Sequence, residues 1–395
     1  MVVGLQQAHL LIKPFKKLKT RKDNFHFLYT ITSLIMSEQI DNSLSYLLIG
    51  TYTQGKSEGI YVYQFNKVTG EAQYICNTQG VENPSYISIS ADNKFVFAVN
   101  ESGNKEGDFV SAFKFNIQNG ELEFINKVPS GGIDPCYVSV DENNNHLFIA
   151  NYSSGSLAVI SIDKAGRLSD AIQLFNLKGK SIHPDRQKQS HLHSSVISPE
   201  KEILFVSDLG ADKIYSYSYH TNSLKEPLQQ IPDLETNLEK GDGPRHLAFS
   251  KNGRFAYLSL ELNASIAVFN YQNNILSKIQ NVKMTDDNFT GIVSGADIHL
   301  SADGKFLYAS NRGDANQLVV FAINAEDGKL QFVERVSCMG QTPRNFVIDP
   351  SDNFLIVANQ NSNNCFIFRR DKLTGKLKYT GNKIVVEAPV CLKMI

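Results

Sequence analysis

Gly243-Pro244-Arg245-His246-Leu247 begins a stretch that runs through Phe249 to the turn Lys251-Asn252-Gly253-Arg254, continues from Phe255 to Leu260 and stops at Glu261. Asn-Gly between two apolar, β-forming runs is a strong local signal for a β-hairpin. A hairpin brings its open ends together. Arg245 and Glu261, 16 positions apart, are therefore expected side by side at one rim of a sheet.

The same hairpin recurs along the chain. With the proline as position zero, Pro84 leads to Asn100, Pro135 to Asn151, Pro244 to Leu260 and Pro343 to Asn359, each 16 residues on. Two copies lack the proline, and counting back 16 from Asp208 and Asn311 reaches Leu192 and Gly295. The strand ends at 100, 151, 208, 260, 311 and 359 lie 51, 57, 52, 51 and 48 residues apart. A period near 50 with several short strands per repeat points to a β-propeller. The second repeat displays its strands as Tyr86 to Ser90, Phe95 to Asn100, Phe109 to Asn116 and Leu122 to Val128.

Joining the two ends of the chain supplies a seventh copy. Ala388-Pro389-Val390-Cys391-Leu392 reads as the first strand of a repeat, and Tyr46-Leu47-Leu48-Ile49-Gly50 as a second strand with nothing before it. The expectation is an all-β, seven-bladed propeller with four antiparallel strands per blade, closed by the C-terminal strand in the first blade. Closure removes the open sheet edge that would otherwise template aggregation. The chain has no Trp, so the Trp-Asp repeat of common interaction propellers is missing.

Residues 1–40 stand outside this pattern as an N-terminal extension, with the propeller domain at 41–395. Residues 1–35 carry six bases (Lys13, Lys16, Lys17, Lys19, Arg21, Lys22) against Asp23, then a short apolar run broken by Thr and Ser. The run is too short for a membrane span, and no small-residue cleavage site follows it. A disordered or spurious extension before Met36 is the reading adopted, with export as the alternative. The chain carries −1 overall, so the body without residues 1–35 carries about −6, which gives it no general attraction for nucleic acid or anionic membrane. Five cysteines include no Cys-x-x-Cys pair and suit a reducing, cytoplasmic setting without a zinc site.

Function has to be read where equivalent positions of the blades differ. Just after position zero stand Ser85, Cys136, His193, Arg245, Ala296, Arg344 and Val390. Just after the second strand stand Thr51, Glu101, Tyr152, Leu209, Glu261, Arg312 and Gln360. Both sets belong to the same rim. One channel mouth is thus expected to gather His193, Arg245, Arg344, Glu101, Glu261 and Arg312, with His191, His246 and His299 nearby. The long 57-residue interval adds a loop that carries Arg186 and Lys188 and could act as a lid.

Over about residues 45–395 the chain resembles the propeller lactonases, the family that includes bacterial 6-phosphogluconolactonase and is similar to the fungal carboxymuconate cyclases. The carriers are Ile49-Gly50-Thr51-Tyr52-Thr53, His191-Leu192-His193-Ser194, Asp208-Leu209-Gly210-Ala211-Asp212-Lys213, Gly243-Pro244-Arg245-His246, the run Asp303 to Arg312, and Thr342-Pro343-Arg344-Asn345-Phe346. By this resemblance the family's active-site His falls on the His191/His193 pair, its Arg on Arg245 and Arg312, and its Glu on Glu261. Ser190 stands where the family usually has Pro, and Asn345 where a second His often follows Pro-Arg.

Lactone opening suits this set. A His can deprotonate water near neutral pH, with Glu261 orienting it or serving as the base itself, and Arg245 and Arg312 can face the oxyanion. Arg344, with Arg186, is assigned to an anionic tail, and Glu101, His246, His299 and Gln360 to the rest of the substrate. The expected activity is hydrolysis of a phosphorylated or carboxylated sugar lactone, 6-phosphogluconolactone first, without cofactor or metal. A cyclase or lyase acting on a carboxylated lactone, or a scaffold without catalysis, are the alternatives.

Overall fold

The computed structural model describes residues 43–395; the expected extension at 1–40 lies outside them. Seven four-stranded antiparallel sheets follow one another, and the blade starting at Leu192–Ile197 carries one further two-residue strand, Thr236–Asn237. The helical elements among the described residues are two single 3₁₀ turns, Pro232–Leu234 and Gln360–Ser362. The innermost strands Ile87–Ile89, Pro135–Val140, Leu192–Ile197, Pro244–Phe249, Val293–Leu300, Pro343–Ile348 and Pro389–Met394 each pack against the next, and the last returns to the first. The chain is a closed seven-bladed propeller.

The second strand of each blade explains the packing. Phe95–Asn100, His146–Asn151, Ile203–Asp208, Phe255–Leu260, Phe306–Gly313 and Phe354–Asn359 are buried along nearly their whole length, because both faces of every sheet are covered by neighbouring blades. Such strands read as continuous apolar runs rather than alternating ones. At about 1.5–3 kcal/mol per large apolar side chain removed from water, this interior is the main stabilising term.

The inner hairpins share one turn geometry. Nine residues after position zero, each of six blades places one residue in the left-handed region: Asn93, Asn144, Lys201, Gly253, Gly304 and Asp352, with φ between 56° and 71°. Asn, Asp and Gly take this conformation at little cost, which is why they fill five of the six positions.

The terminal strand Pro389–Met394 pairs with Leu44–Thr51, running from Thr51 opposite Pro389 to Leu47 opposite Met394. Tyr46 and Ile395 exchange two further backbone hydrogen bonds at 2.8 and 2.9 Å, and Val390, Cys391 and Leu392 are at most 2 % exposed. All five cysteines are free, four of them buried. Among the described residues no helix is long and apolar enough to cross a membrane.

Candidate active site

The 16-residue spacing read from the sequence is a direct cross-strand pairing: Pro135 with Asn151, Leu192 with Asp208, Pro244 with Leu260, Gly295 with Asn311 and Pro343 with Asn359. In each of these ladders the register shifts by one residue just after that pair, so the inner strand carries an extra residue there. A β-bulge of this kind bends the strand and re-aims a side chain. Cys136, His193 and Arg344 are the residues the ladder skips, and Arg245 shares its bulge with His246.

The residue before position zero turns the corner with positive φ, at Asn83, Asp134, Gly243, Thr342 and Ala388. Its carbonyl then accepts the N–H of the residue following the second strand, as in Glu101 to Asn83 (3.1 Å), Tyr152 to Asp134 (2.8 Å) and Glu261 to Gly243 (2.7 Å). One backbone corner therefore fixes both rim side chains of a blade. The same bond in the first blade runs from Tyr52 to Ala388 (3.0 Å), so the rim residue there is Tyr52 and not Thr51, which pairs within the ladder with Pro389.

These corners surround a cavity of about 300 Å³ walled by Glu101, Cys136, Tyr152, Arg186, His193, Glu261, Ser294, Arg312 and Arg344, with Arg245 buried directly behind Glu261. Glu261 is the hub. Its Oε2 lies 2.9 Å from Arg312 Nη2 and 3.0 Å from Arg245 Nε, and its Oε1 2.6 Å from Arg186 Nη2. The Arg245 Nε–H does not point along its line of contact, which makes that contact an ion pair rather than a straight hydrogen bond. Burial disfavours the Glu261 charge, but Arg312, Arg245, His193 and Arg186 outweigh it and hold the carboxyl well below the usual carboxylate range.

His193 Nε2 sits 3.8 Å from Glu261 Oε2, and its Nδ1 is 3.7 Å from Cys136 Sγ. Burial, reinforced by Arg245, keeps this imidazole well below its ordinary value, so it is neutral at physiological pH. Burial brings Arg312 down to about 10, and Glu261 limits the drop. Arg312 also donates from Nη2 to Gly295 O (3.1 Å) and from Nε to Ser294 O (3.4 Å), which leaves Nη1 for a ligand.

The opposite wall is built differently. Arg344 Nη2 approaches Glu101 Oε2 only to 4.0 Å, its guanidinium lies 5.5 Å from the Tyr52 ring centre, and it donates no hydrogen bond to any described residue. Glu101 accepts the Tyr52 hydroxyl on both oxygens at 3.1 Å. Burial pushes the Glu101 carboxyl above its ordinary value despite the nearby Arg344. One wall thus holds a saturated carboxylate and the other an arginine whose donors are unspent.

Beneath the cavity, position two of the inner strands forms a second layer. Tyr86 stacks on Tyr137 (4.3 Å), both meet the His246 ring edge-on, and His246 Nδ1 is 2.7 Å from Asp297 Oδ1. Asn345 donates to Asp297 Oδ2 at 2.5 Å, and its own oxygen accepts the Leu392 N–H at 2.6 Å. Cys391 Sγ accepts the Ile87 N–H at 3.3 Å. This network carries the floor around the channel from blade to blade.

Several sequence-assigned residues therefore do not reach the cavity. His246 lies in the floor and His299 below it, 2.9 Å from Asp297 Oδ2. Gln360 is not part of the cavity wall. His191 stacks on Tyr152 at 4.4 Å and places Nδ1 3.0 Å from the Tyr152 carbonyl oxygen; two positions apart, residues 191 and 193 would share a face of a regular strand, and the bulge at His193 turns that side chain alone inward. Its contact with the cavity is through Tyr152, whose hydroxyl accepts from Arg186 Nε (3.2 Å) and Nη2 (2.9 Å). Tyr152, Cys136 and Ser294 are wall residues that the sequence assignment left out. The first two stood at rim positions but carried no charge to draw notice.

A neutral imidazole, a clamped carboxylate and several free N–H donors around one small cavity can activate water and hold developing negative charge on oxygen. A family described as lactonase with a seven-bladed β-propeller matches residues 46–394. The 6-phosphogluconolactonase of Formosa agariphila is 35% identical over 350 residues, covering 88% of this chain and 99% of that protein. The Bacillus subtilis 6-phosphogluconolactonase is 34% identical over 352 residues, covering 88% and 97%. The structure of a periplasmic gluconolactonase from Pseudomonas aeruginosa superposes with a TM-score of 0.86 at 38% identity, covering 89% of this chain and 99% of that one.

Proposed function

Since the chain belongs to the seven-bladed β-propeller lactonase family and is a lactone-hydrolysing enzyme, we propose that its substrate is 6-phosphogluconolactone, opened to 6-phosphogluconate in the cytoplasm. The observation that supports the phosphate is the charge of the cavity. Four guanidiniums (Arg186, Arg245, Arg312, Arg344) face two carboxylates (Glu101, Glu261), and Arg344 has its donors unspent. A tetrahedral dianion matches both the surplus and the fork geometry of Arg344. The volume of about 300 Å³ suits one small sugar derivative. Five free thiols favour a reducing compartment.

In this reading His193 takes a proton from water as its oxygen bonds to the lactone carbonyl carbon. Glu261, 3.8 Å away, stabilises the imidazolium that forms. Glu261 is a poor base itself, because three guanidiniums hold it as an anion; its role is the counter-charge that lets them converge. The carbonyl oxygen becomes an oxyanion facing Arg312 Nη1, with Arg245 behind Glu261 adding positive charge; a donor in contact with the oxyanion is worth about 3–4 kcal/mol of barrier elsewhere. As the intermediate collapses, the ring C–O bond breaks and the leaving alkoxide takes the proton back from His193. The acid product then ionises and releases one proton.

That proton provides the test. With freshly generated 6-phosphogluconolactone in a weakly buffered solution, the enzyme should accelerate acid release far above the spontaneous rate, and more than it does for the unphosphorylated lactone. The reading fails if 6-phosphogluconolactone opens no faster with enzyme than without. Preference for the neutral lactone, as the name of the Pseudomonas relative suggests for that protein, would transfer the assignment to gluconolactone.

A further inference from the structure

The two carboxylates of the cavity sit in opposite situations, and the difference is geometric before it is electrostatic. Glu261 has three guanidinium nitrogens within 3.0 Å. Glu101 has one cation, at 4.0 Å, and a single hydroxyl donor shared between its oxygens. The groups that face Glu101 are Tyr52 from the first blade, Arg344 from the seventh, Cys136 and Asp134 from the third, and Glu261 across the cavity. Arg344 is the only cation among them, and hydroxyl hydrogen bonding adds the remaining support for the charge.

An anion seated on Arg344 removes the support of that cation. The guanidinium donors turn to the ligand, and a second negative charge arrives next to a carboxylate already facing Asp134 and Glu261. We propose that Glu101 is a specificity-determining residue for the anionic tail: it takes up a proton when a tetrahedral dianion occupies Arg344, and the resulting carboxylic acid donates its O–H to the ligand. The proton comes from solvent and no other bond changes. An uncharged ligand on the same wall would leave Glu101 ionised and meet it as an acceptor for sugar hydroxyls. Phosphorylated and neutral lactones are thereby separated through one proton, with the phosphorylated form favoured as pH falls. This inference rests on the assignment of Arg344 to the tail. Burial already lifts the Glu101 carboxyl, which shortens the step to protonation.

Sulfate is the probe, because it is a tetrahedral dianion that does not itself titrate near neutral pH. Calorimetric titration of the full-length enzyme in two buffers of different ionisation enthalpy counts protons taken up per sulfate bound. The expected result is uptake approaching one proton at about pH 7–9, with affinity rising up to about tenfold per unit of falling pH. In Glu101→Gln the uptake should vanish, and sulfate should bind at least as tightly with little dependence on pH. A carboxylic-acid C=O band arising in the infrared difference spectrum of wild type on sulfate binding reads the same event without any substitution. Sulfate that needs Arg344 but brings no proton and no such band overturns the inference, as does uptake that survives Glu101→Gln. Sulfate that fails to bind, or binds equally to Arg344→Met, overturns the tail assignment beneath it.

Discussion

Replacing Glu261 with Gln keeps shape and removes the one charge shared by Arg245, Arg312 and Arg186. Arg186 is 40 % exposed, and its share is largely returned to water. The Arg245 and Arg312 side chains are 3 % and 11 % exposed and would stay buried without a counter-ion. Breaking a buried pair by deleting one partner costs about 3–5 kcal/mol. With an unfolding entropy of about 2.1 cal/mol/K for each of roughly 350 residues, 1 kcal/mol corresponds to about 1.4 °C, so Tm should fall by about 4–7 °C. Turnover should fall at least about 100-fold, since the imidazolium loses its stabiliser and the arginines their placement.

The difference in stability between wild type and variant also has a pH signature. The folded carboxyl of Glu261 titrates below its unfolded value, so its contribution is complete above about pH 4.5 and shrinks as pH falls through the folded value. Calorimetric scans at neutral and acid pH, alongside the acid-release assay, check both parts. A variant with wild-type Tm and wild-type turnover at neutral pH would refute the role of Glu261 as hub.

Deleting residues 387–395 exposes the edge of Leu44–Thr51 and removes Val390, Cys391 and Leu392 from the interior; at about 1.5–3 kcal/mol per large side chain this approaches the whole margin of a typical domain, and aggregation or loss of a cooperative melt should follow. Retention of the wild-type melt would argue against closure as a stabilising device. His193→Asn should lower kcat by about 10²–10⁴-fold with the fold unchanged by circular dichroism, and near-normal turnover would remove His193 as base. His246 is held to about 3, by burial first and then by Arg245, against the pull of Asp297. Its folded value lies below the unfolded one, so stability should decline as pH falls from about 6.5 toward about 3, and His246→Phe should lose part of that decline in melts taken across the range.

Much of the ring was legible because its signals are local. Pro-to-strand-end spacing, Asn-Gly and Asp-Gly turns and apolar second strands are written in each repeat, and Pro389 opposite Thr51 closes the count. The bulge was not legible, since an extra residue leaves no mark on an apolar pattern six residues long. Without it, His191 and His193 look equivalent, and Thr51 takes the place of Tyr52. Charged rim residues announced themselves against a neutral background, whereas Tyr152, Cys136 and Tyr52 look like ordinary strand residues until their neighbours are known. Asn345 is the plainest case. It departs from the family's His and was not counted in the site, yet it ties Asp297 to Leu392 in the floor, a role set by partners 48 and 47 residues away in sequence. Arg186 was found only as a member of a loop, and its bond to Glu261, 75 residues on, had no sequence signature.

The most direct measurement compares kcat/KM for 6-phosphogluconolactone and for gluconolactone in wild type and in Arg344→Met, followed by acid release in the same buffer. A tail contact formed equally in ground and transition states should appear mainly in KM, while loss of an oxyanion donor at Arg312 should appear mainly in kcat. The expected result is a strong wild-type preference for the phosphorylated lactone that collapses by about 10²-fold in Arg344→Met, with activity on the neutral lactone little changed. A preference that survives the substitution, or a wild type that opens neither lactone, would contradict the account.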